Sequence, residues 1–586
     1  MFSFARVLYS RPIKITRLAA NMPHFDVCVI GGGPAGIAAA LRAVDYNKRV
    51  CLVEAKRMGG ADLWNGALQS KTLWEMAKYV SRLSGQASHR VFEEDVVKGL
   101  KEKVNDVRIR ETLEEVSKTR ERQLLDGLKA AGVTLVYGKG IFSSPHELDV
   151  HSTNTGEYHV LTADYFIIAT GSVPRNHEYL VTDGRRVVTT DTIMQLPIPS
   201  SLVIIGAGAA GCEFASIYAN LGRTKVSLID KAPRILPMED EDIALFVQNQ
   251  LERRGVTMHH NCTLFDLESW EKGEKGGCIY SVRRNDEGGA VHPVETHRAE
   301  LALLSVGRVP NFYGLGLENT SCKVSDGVIV VDAFNRCVPH KHIYVIGDAA
   351  ADRALVNLGE AQGRGAVDHM YSEKLARSIN SSVLTNLTTV MFLEEEVACV
   401  GLNEQQCQQR NLSYMVARFD YEHLSRAIAM GETAGFCKVI VTNDREKRLL
   451  GVRAVGAHAG SIVEVASLAI RRMDSVYGLL QLTTSYPSVV QGFLECIRMI
   501  LGRSSVKPNT TPRMTLNIWH PSHFERGRTY SDEMENEARS SKEWNTDNRQ
   551  YELEMARMRH SVVEDVLRDR AAAAASAADN NNNNSK

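Results

Sequence analysis

Two glycine triplets, each followed at nearly the same distance by an acidic residue, are the parts of this chain best suited to hold a phosphate-bearing ligand. The first is Gly31, Gly33 and Gly36, with Glu54 lying 18 residues beyond the last glycine. The second is Gly206, Gly208 and Gly211, with Asp230 lying 19 residues beyond. In a G-x-G-x-x-G turn the first glycine permits a tight bend, the second lets the backbone approach a pyrophosphate, and the third lets a helix pack close on its strand. The acid falls where a ribose hydroxyl pair would be bound. Two complete units predict two dinucleotides. At the second, Asp230 favours NAD because a carboxylate repels a 2′-phosphate, while Lys231 and Arg234 nearby leave NADP open.

Each triplet needs a strand before it and a helix after it. Apolar Phe25–Ile30 feeds the first, the helical Ile37–Leu41 follows, and a second strand, Arg49–Val53, ends at Glu54. Ser201–Ile205 feeds the second triplet, a helix containing Glu213 follows, and Lys225–Ile229 ends at Asp230. Residues 132–138 read as a strand closed by glycine and 164–168 as a buried strand, the latter running into Thr170-Gly171-Ser172-Val173-Pro174. Between them, residues 72–130 are charged and helix-patterned, with Leu113, Val116, Leu124, Leu125 and Leu128 on one apolar face and a helix expected from near Thr72. Pro197 and Pro199 suit a linker.

Composition removes several alternatives. At about 150 residues per domain, 586 residues suggest about four units. Lys plus Arg total 69 and Asp plus Glu 70, so no net field favours nucleic acid or an anionic membrane. No apolar run approaches the roughly 18 residues of a membrane span. Eleven dispersed cysteines without a C-x-x-C pair argue for a reducing compartment, and against a disulfide scaffold or a metal site. Residues 1–23 are basic and acid-poor, with Arg6, Arg11, Lys14 and Arg17, as in a mitochondrial presequence directing the protein to the matrix. A plain basic extension on a cytoplasmic protein is the alternative.

The segment Gly59-Gly60-Ala61-Asp62-Leu63-Trp64-Asn65-Gly66-Ala67-Leu68-Gln69-Ser70-Lys71 resembles the flavoprotein disulfide reductases, dihydrolipoamide dehydrogenase among them, whose segment reads G-G-x-C-x-x-x-x-C-x-x-S-K. The string Thr170 to Pro174, Val306-Gly307-Arg308-Val309-Pro310-Asn311 and Ile343-Tyr344-Val345-Ile346-Gly347-Asp348 resemble that family's crossing and second flavin signatures in the same order. The resemblance runs from about Phe25 to Arg503. It implies an α/β chain of two doubly wound, three-layer dinucleotide-binding domains and a C-terminal α+β dimerisation domain. FAD would be held by Gly31, Gly33, Gly36, Glu54, Lys71, Gly140, Thr170, Gly171, Gly347 and Asp348. NAD would be held by Gly206, Gly208, Gly211, Glu213, Asp230 and Gly307. In the family the lysine and glutamate equivalent to Lys71 and Glu213 pair where nicotinamide meets flavin. The implied domains are FAD-binding at 24–198 and 319–386, NAD(P)-binding at 199–318 and dimerisation at 387–503, giving a homodimer.

Both halves of the family's thiol machinery depart from its pattern. The two cysteine positions are Asp62 and Ala67, and alanine carries neither a nucleophile nor an exchangeable proton. The family's terminal H-P-x-x-x-E, which supplies an acid/base across the dimer, reads Tyr486-Pro487-Ser488-Val489-Val490-Gln491. A tyrosine is a poor base at neutral pH and a glutamine cannot stabilise an imidazolium. Ala209, Ala210 and Asn357 are smaller departures, and Cys51 is the first suspect for a substitute thiol. Two functions follow. One is an FAD-dependent NAD(P)H oxidoreductase with a small-molecule, non-disulfide acceptor such as a quinone, unable to turn over dihydrolipoamide or glutathione disulfide, with Lys71, Glu213 and Tyr486 as its catalytic groups. The other is a degenerate dihydrolipoamide dehydrogenase-like subunit of a mitochondrial assembly. Residues 504–586 are expected as a tail with a helical face of Tyr551, Met555, Met558, Val562 and Val566, which binds a protein partner or docks on its own chain, before an asparagine-rich end.

Overall fold

The strand His24–Ile30 lies between Val50–Glu54 and Tyr158–Ile168 and runs parallel to both. Val27, Cys28 and Val29 are fully buried, the continuous apolar run of a strand covered on both faces. This computed structural model describes residues 23–521 apart from 86–87, 94–98, 153–155, 176–179, 273–274, 286–291, 351–352 and 373–385. The presequence reading of residues 1–23 therefore falls almost wholly outside the described residues, as does the helical face from Tyr551 to Val566.

The first sheet is completed by Thr134–Tyr137 at one edge and by the antiparallel Glu147–His151 and Lys139–Ser144 on the other side. Ile343–Val345 returns to pair in parallel with Tyr158–Ile168, which brings Gly347 and Asp348 back to the first triplet. The second sheet is parallel throughout, in the order Thr257–His259, Lys225–Ile229, Ser201–Ile205, Leu301–Leu304, Val187–Thr189. Val187–Thr189 precedes Pro197 and yet belongs to this second sheet. The chain has already crossed at Ser172–Pro174, which pairs antiparallel with the returning Arg308–Pro310. The third sheet is antiparallel, in the order Thr389–Met391, Val397–Gly401, Leu449–Val455, Phe436–Thr442, Tyr414–Asp420, Thr515–Trp519. Helix Val490–Ile500 packs Phe493, Cys496 and Ile497 into its core. Among the described residues no helix is long and apolar enough to cross a membrane.

Three sequence expectations are corrected here. The lysine-bearing helix starts at Ala67, not near Thr72, because nothing after Gly66 breaks it. Residues 504–521 are not a detached tail, since Thr515–Trp519 adds an edge strand beside Tyr414–Asp420. The eleven cysteines are not all thiols. Cys322 and Cys337 form a disulfide, brought together by the hairpin Val324–Ser325 and Val328–Ile329, with their Cα atoms 6.0 Å apart. The other nine cysteines are buried.

A buried charge cluster joins the second and third sheets. Lys438 and Arg453 are cross-strand neighbours in the third sheet. Lys438 Nζ lies 2.7 Å from Asp240, 2.7 Å from Asp242 and 2.8 Å from Glu404. Arg453 Nε is 3.0 Å from Glu239, so the two cations grip the acidic start of the helix Glu241–Arg253. The three carboxylates around Lys438 are spaced to suit a metal ion, and the ammonium sits at their centre. Burial alone would push the Lys438 pKa down, but Glu404, Asp242 and Asp240 together push it up. Removing one partner of such a cluster leaves uncompensated buried charge. Lys438→Met is therefore expected to destabilise the protein by about 3–5 kcal/mol, read as an earlier urea transition of the C-terminal sheet by tryptophan fluorescence.

Candidate functional site

The two glycine triplets have the same geometry. A Cβ on Gly36 would lie 2.0 Å from the Gly31 carbonyl oxygen, and one on Gly211 would lie 1.9 Å from that of Gly206. Each third glycine is thus pressed against the turn made by the first. The second glycines, Gly33 and Gly208, face open space. They start helices Pro34–Asp45 and Ala209–Leu221 without a side-chain cap, so unpaired helix amides face the same space. Glu54 accepts from the Gly32 and Lys56 amides, both at 2.7 Å. Asp230 repeats this with the Ala207 amide at 2.6 Å and the Ala232 amide at 2.8 Å.

A cleft of about 1330 Å³ runs between the two turns, larger than the roughly 300–1,000 Å³ of a single small-ligand pocket. From the first domain its lining includes Gly31, Gly33, Glu54, Gly140, Thr170, Gly171, Gly347 and Asp348. Thr170 Oγ1 is buried without a hydrogen-bond partner, a polar atom left for a ligand. Open helix amides, this orphaned hydroxyl and paired acids fit an FAD. From the second domain the lining includes Gly208, Glu213 and Gly307, whereas Asp230 lies outside it. Arg234 spends its guanidinium on the carbonyls of Leu236 at 2.9 Å and Glu239 at 2.7 Å.

Lys71 and Glu213 meet in this cleft although 142 residues separate them, with Nζ to Oε2 at 2.8 Å. Asp62 and Ala67 line the same cleft, and among the described residues no cysteine does. Cys51 is fully buried in its strand beside Cys28, which removes it as a substitute thiol at the cleft. Cys337 is in the core with Phe142 and Ile343, so the disulfide is not among the lining groups either.

Other predicted groups stand apart. Tyr486 is 76% exposed and does not line the cleft of its own chain. Its hydroxyl donates to Ser425 Oγ at 3.0 Å, while Gln491 donates to Thr484 Oγ1 at 2.7 Å, so the two family positions are not partnered with each other. Asn357 is exposed and donates to the Thr388 carbonyl at 3.2 Å. Ala209 and Ala210 do line the cleft and are exposed on it. The sequence reading missed two contacts. Ser172 Oγ donates to Asp348 at 2.6 Å and accepts from Arg308 Nε at 2.8 Å, tying the crossing strands to Asp348. Arg308 was visible in its motif, but nothing local marked its partner. The second missed residue is Phe392, whose amide donates to Glu213 Oε1 at 2.8 Å.

Comparison with known proteins agrees with this geometry. Residues 25–368 match the family described as pyridine nucleotide-disulphide oxidoreductase, and residues 387–495 match its dimerisation domain. The chain is 30% identical to a dihydrolipoyl dehydrogenase of Bacillus subtilis over 76% of this chain and 91% of that one. It is 29% identical to a soluble pyridine nucleotide transhydrogenase of Chromohalobacter salexigens over 80% of this chain and 96% of that one. Among solved structures, LpdA of Mycobacterium tuberculosis superposes with a TM-score of 0.72 at 25% identity, covering 81% of this chain and 99% of that one.

Asp62 lies in the first turn of the short helix Gly60–Trp64 and is partly buried. Burial pushes its carboxyl pKa up and Glu360 adds to this, outweighing Arg120 and the Leu68 amide. Between the ordinary carboxylate value and the raised one, the folded protein holds a proton that the unfolded chain has lost. Stability therefore falls as pH rises through that window. Asp62→Asn removes the cost, so the variant is expected to melt higher than the parent at pH 7.5, with the gap closing as pH falls to about 4. A lower melting temperature for the variant at pH 7.5 would show the carboxylate to be stabilised instead.

Proposed function

Because the chain belongs to the pyridine nucleotide-disulphide oxidoreductase family, and is an FAD-dependent oxidoreductase of the dihydrolipoamide dehydrogenase type, we propose that it passes electrons from NAD(P)H to a non-disulfide acceptor such as a quinone. The observation that carries this reading is the lining of the cleft: the Lys71–Glu213 pair is assembled, while Asp62 and Ala67 occupy the sulfur positions without a cysteine beside them. FAD, when bound, supplies two-electron chemistry between a reduced nicotinamide and an acceptor. The chain's own groups do the rest. Glu213 holds Lys71 in the wall of the cleft, and Arg308 with Ser172 holds Asp348. The Asp62 carboxyl, whose burial favours its protonated form, lines the same cleft as Lys71. Asp230, together with an Arg234 already engaged by carbonyls, favours NAD over NADP. The transhydrogenase relative is named for exchange between pyridine nucleotides, which supports an acceptor that is not a disulfide.

The dimerisation domain supports a homodimer. In it Tyr486, exposed on one chain, would be offered to its neighbour. A matrix location rests on the composition of residues 1–23 alone.

The test is steady-state NADH oxidation by the purified protein with a soluble quinone, against lipoamide and glutathione disulfide. Quinone-dependent oxidation is expected, with both disulfides at the free-flavin background. Turnover of either disulfide above that background contradicts the proposal. No oxidation with any acceptor would select the subunit reading, which the separation of Tyr486 from Gln491 favours.

A further inference from the structure

Glu213 has two carboxylate oxygens and both are taken. Oε2 accepts from Lys71, on the helix Ala67–Ser84 of the first domain, and Oε1 accepts from the backbone amide of Phe392, the residue just after the third sheet's edge strand Thr389–Met391. The Phe392 ring also faces the ammonium, with Lys71 Nζ 4.9 Å from its centroid. That ring is itself held. Trp74, one helical turn beyond Lys71, meets it edge-on at 5.1 Å and 81°, and Trp74 Nε1 donates to the Leu393 carbonyl at 2.8 Å. Beyond it, Glu394 accepts from Asn220 at 2.7 Å and Glu395 pairs with Arg254 at 3.1 Å, both on the second domain.

We propose that Phe392 is a positioning residue of the redox centre, through which the dimerisation domain sets where the Lys71 ammonium stands. An ammonium on a four-carbon stem has many rotamers, and one carboxylate oxygen fixes a distance but not a direction. A π face beside the ammonium reduces the remaining freedom, because the cation is attracted to the ring as well as to the carboxylate. A cation fixed in the wall of the flavin's cleft favours the electron-richer state of the ligand there, and a wandering one does so less. The proposal does not depend on the identity of the acceptor.

The experiment measures the flavin's reduction potential in the FAD-loaded protein by photoreduction against a reference dye, with no nicotinamide or acceptor present. Phe392→Leu keeps bulk and removes the π face, and Phe392→Tyr restores that face. The potential is expected to move to more negative values in Phe392→Leu and to return in Phe392→Tyr. It should show no further shift when Phe392→Leu is added to Lys71→Met. Thermal midpoints are read in parallel, and a packing role alone would lower the midpoint of Phe392→Leu without moving its potential. Bleaching by NADH is expected to slow by about three- to tenfold in Phe392→Leu. The proposal is overturned if the potential of Phe392→Leu equals that of the parent, if its shift persists in full beside Lys71→Met, or if Phe392→Tyr fails to restore it. Since the potential is measured without either substrate, a wrong acceptor assignment and a wrong role for Phe392 give different results.

Discussion

One carboxylate is the point on which three parts of the chain converge. Glu213 stands on the helix that begins at the second glycine triplet, takes a proton donor from the first domain through Lys71, and takes another from the dimerisation domain through the Phe392 amide. A part-buried carboxylate with both oxygens engaged has little freedom to turn, and what it fixes is the cation in the cleft. The helices that carry Lys71 and Glu213 must therefore arrive in register, which requires the sheets behind them to be locked.

The locks are elsewhere and are of two kinds. At the crossing between the first two domains, Ser172–Pro174 and Arg308–Pro310 pair as short strands, and Arg308 reaches through Ser172 to Asp348. Between the second and third sheets, Lys438 and Arg453 hold Glu239, Asp240, Asp242 and Glu404. The polar contacts there are directional and so fix a relative orientation that apolar packing alone leaves looser. The clamp on the acidic helix start comes from the third sheet and Phe392 directly follows its edge strand Thr389–Met391, so the third domain braces the second at two places.

Local motifs were readable in the sequence because local backbone geometry demands them. Gly36 and Gly211 can be nothing larger when a carbonyl oxygen lies within about two ångströms of where a Cβ would be. Glu54 and Asp230 follow from their strands ending beside those turns. Contacts made by folding over distance were not readable. Phe392 and Glu213 are 179 residues apart, and neither has a local feature that points to the other. Cys322 and Cys337 carry no spacing signature and meet only through an intervening hairpin. Thr515–Trp519 was missed because its pairing partner, Tyr414–Asp420, is about a hundred residues earlier. Gln491 occupies a family position, yet its side chain turns to Thr484 and leaves Tyr486 to Ser425.

The proposed chemistry turns on what stands beside the Lys71–Glu213 pair. Where sulfur would extend the electron path, this chain has a carboxyl whose burial favours its protonated form, and a methyl group that can accept nothing. The number of electrons the protein can store measures this directly. In an anaerobic titration with NADH, the flavin absorbance is expected to bleach fully at about one equivalent per flavin, with no long-wavelength charge-transfer band. Consumption of about two equivalents, with such a band appearing midway, would mean that a disulfide takes part and would contradict the account.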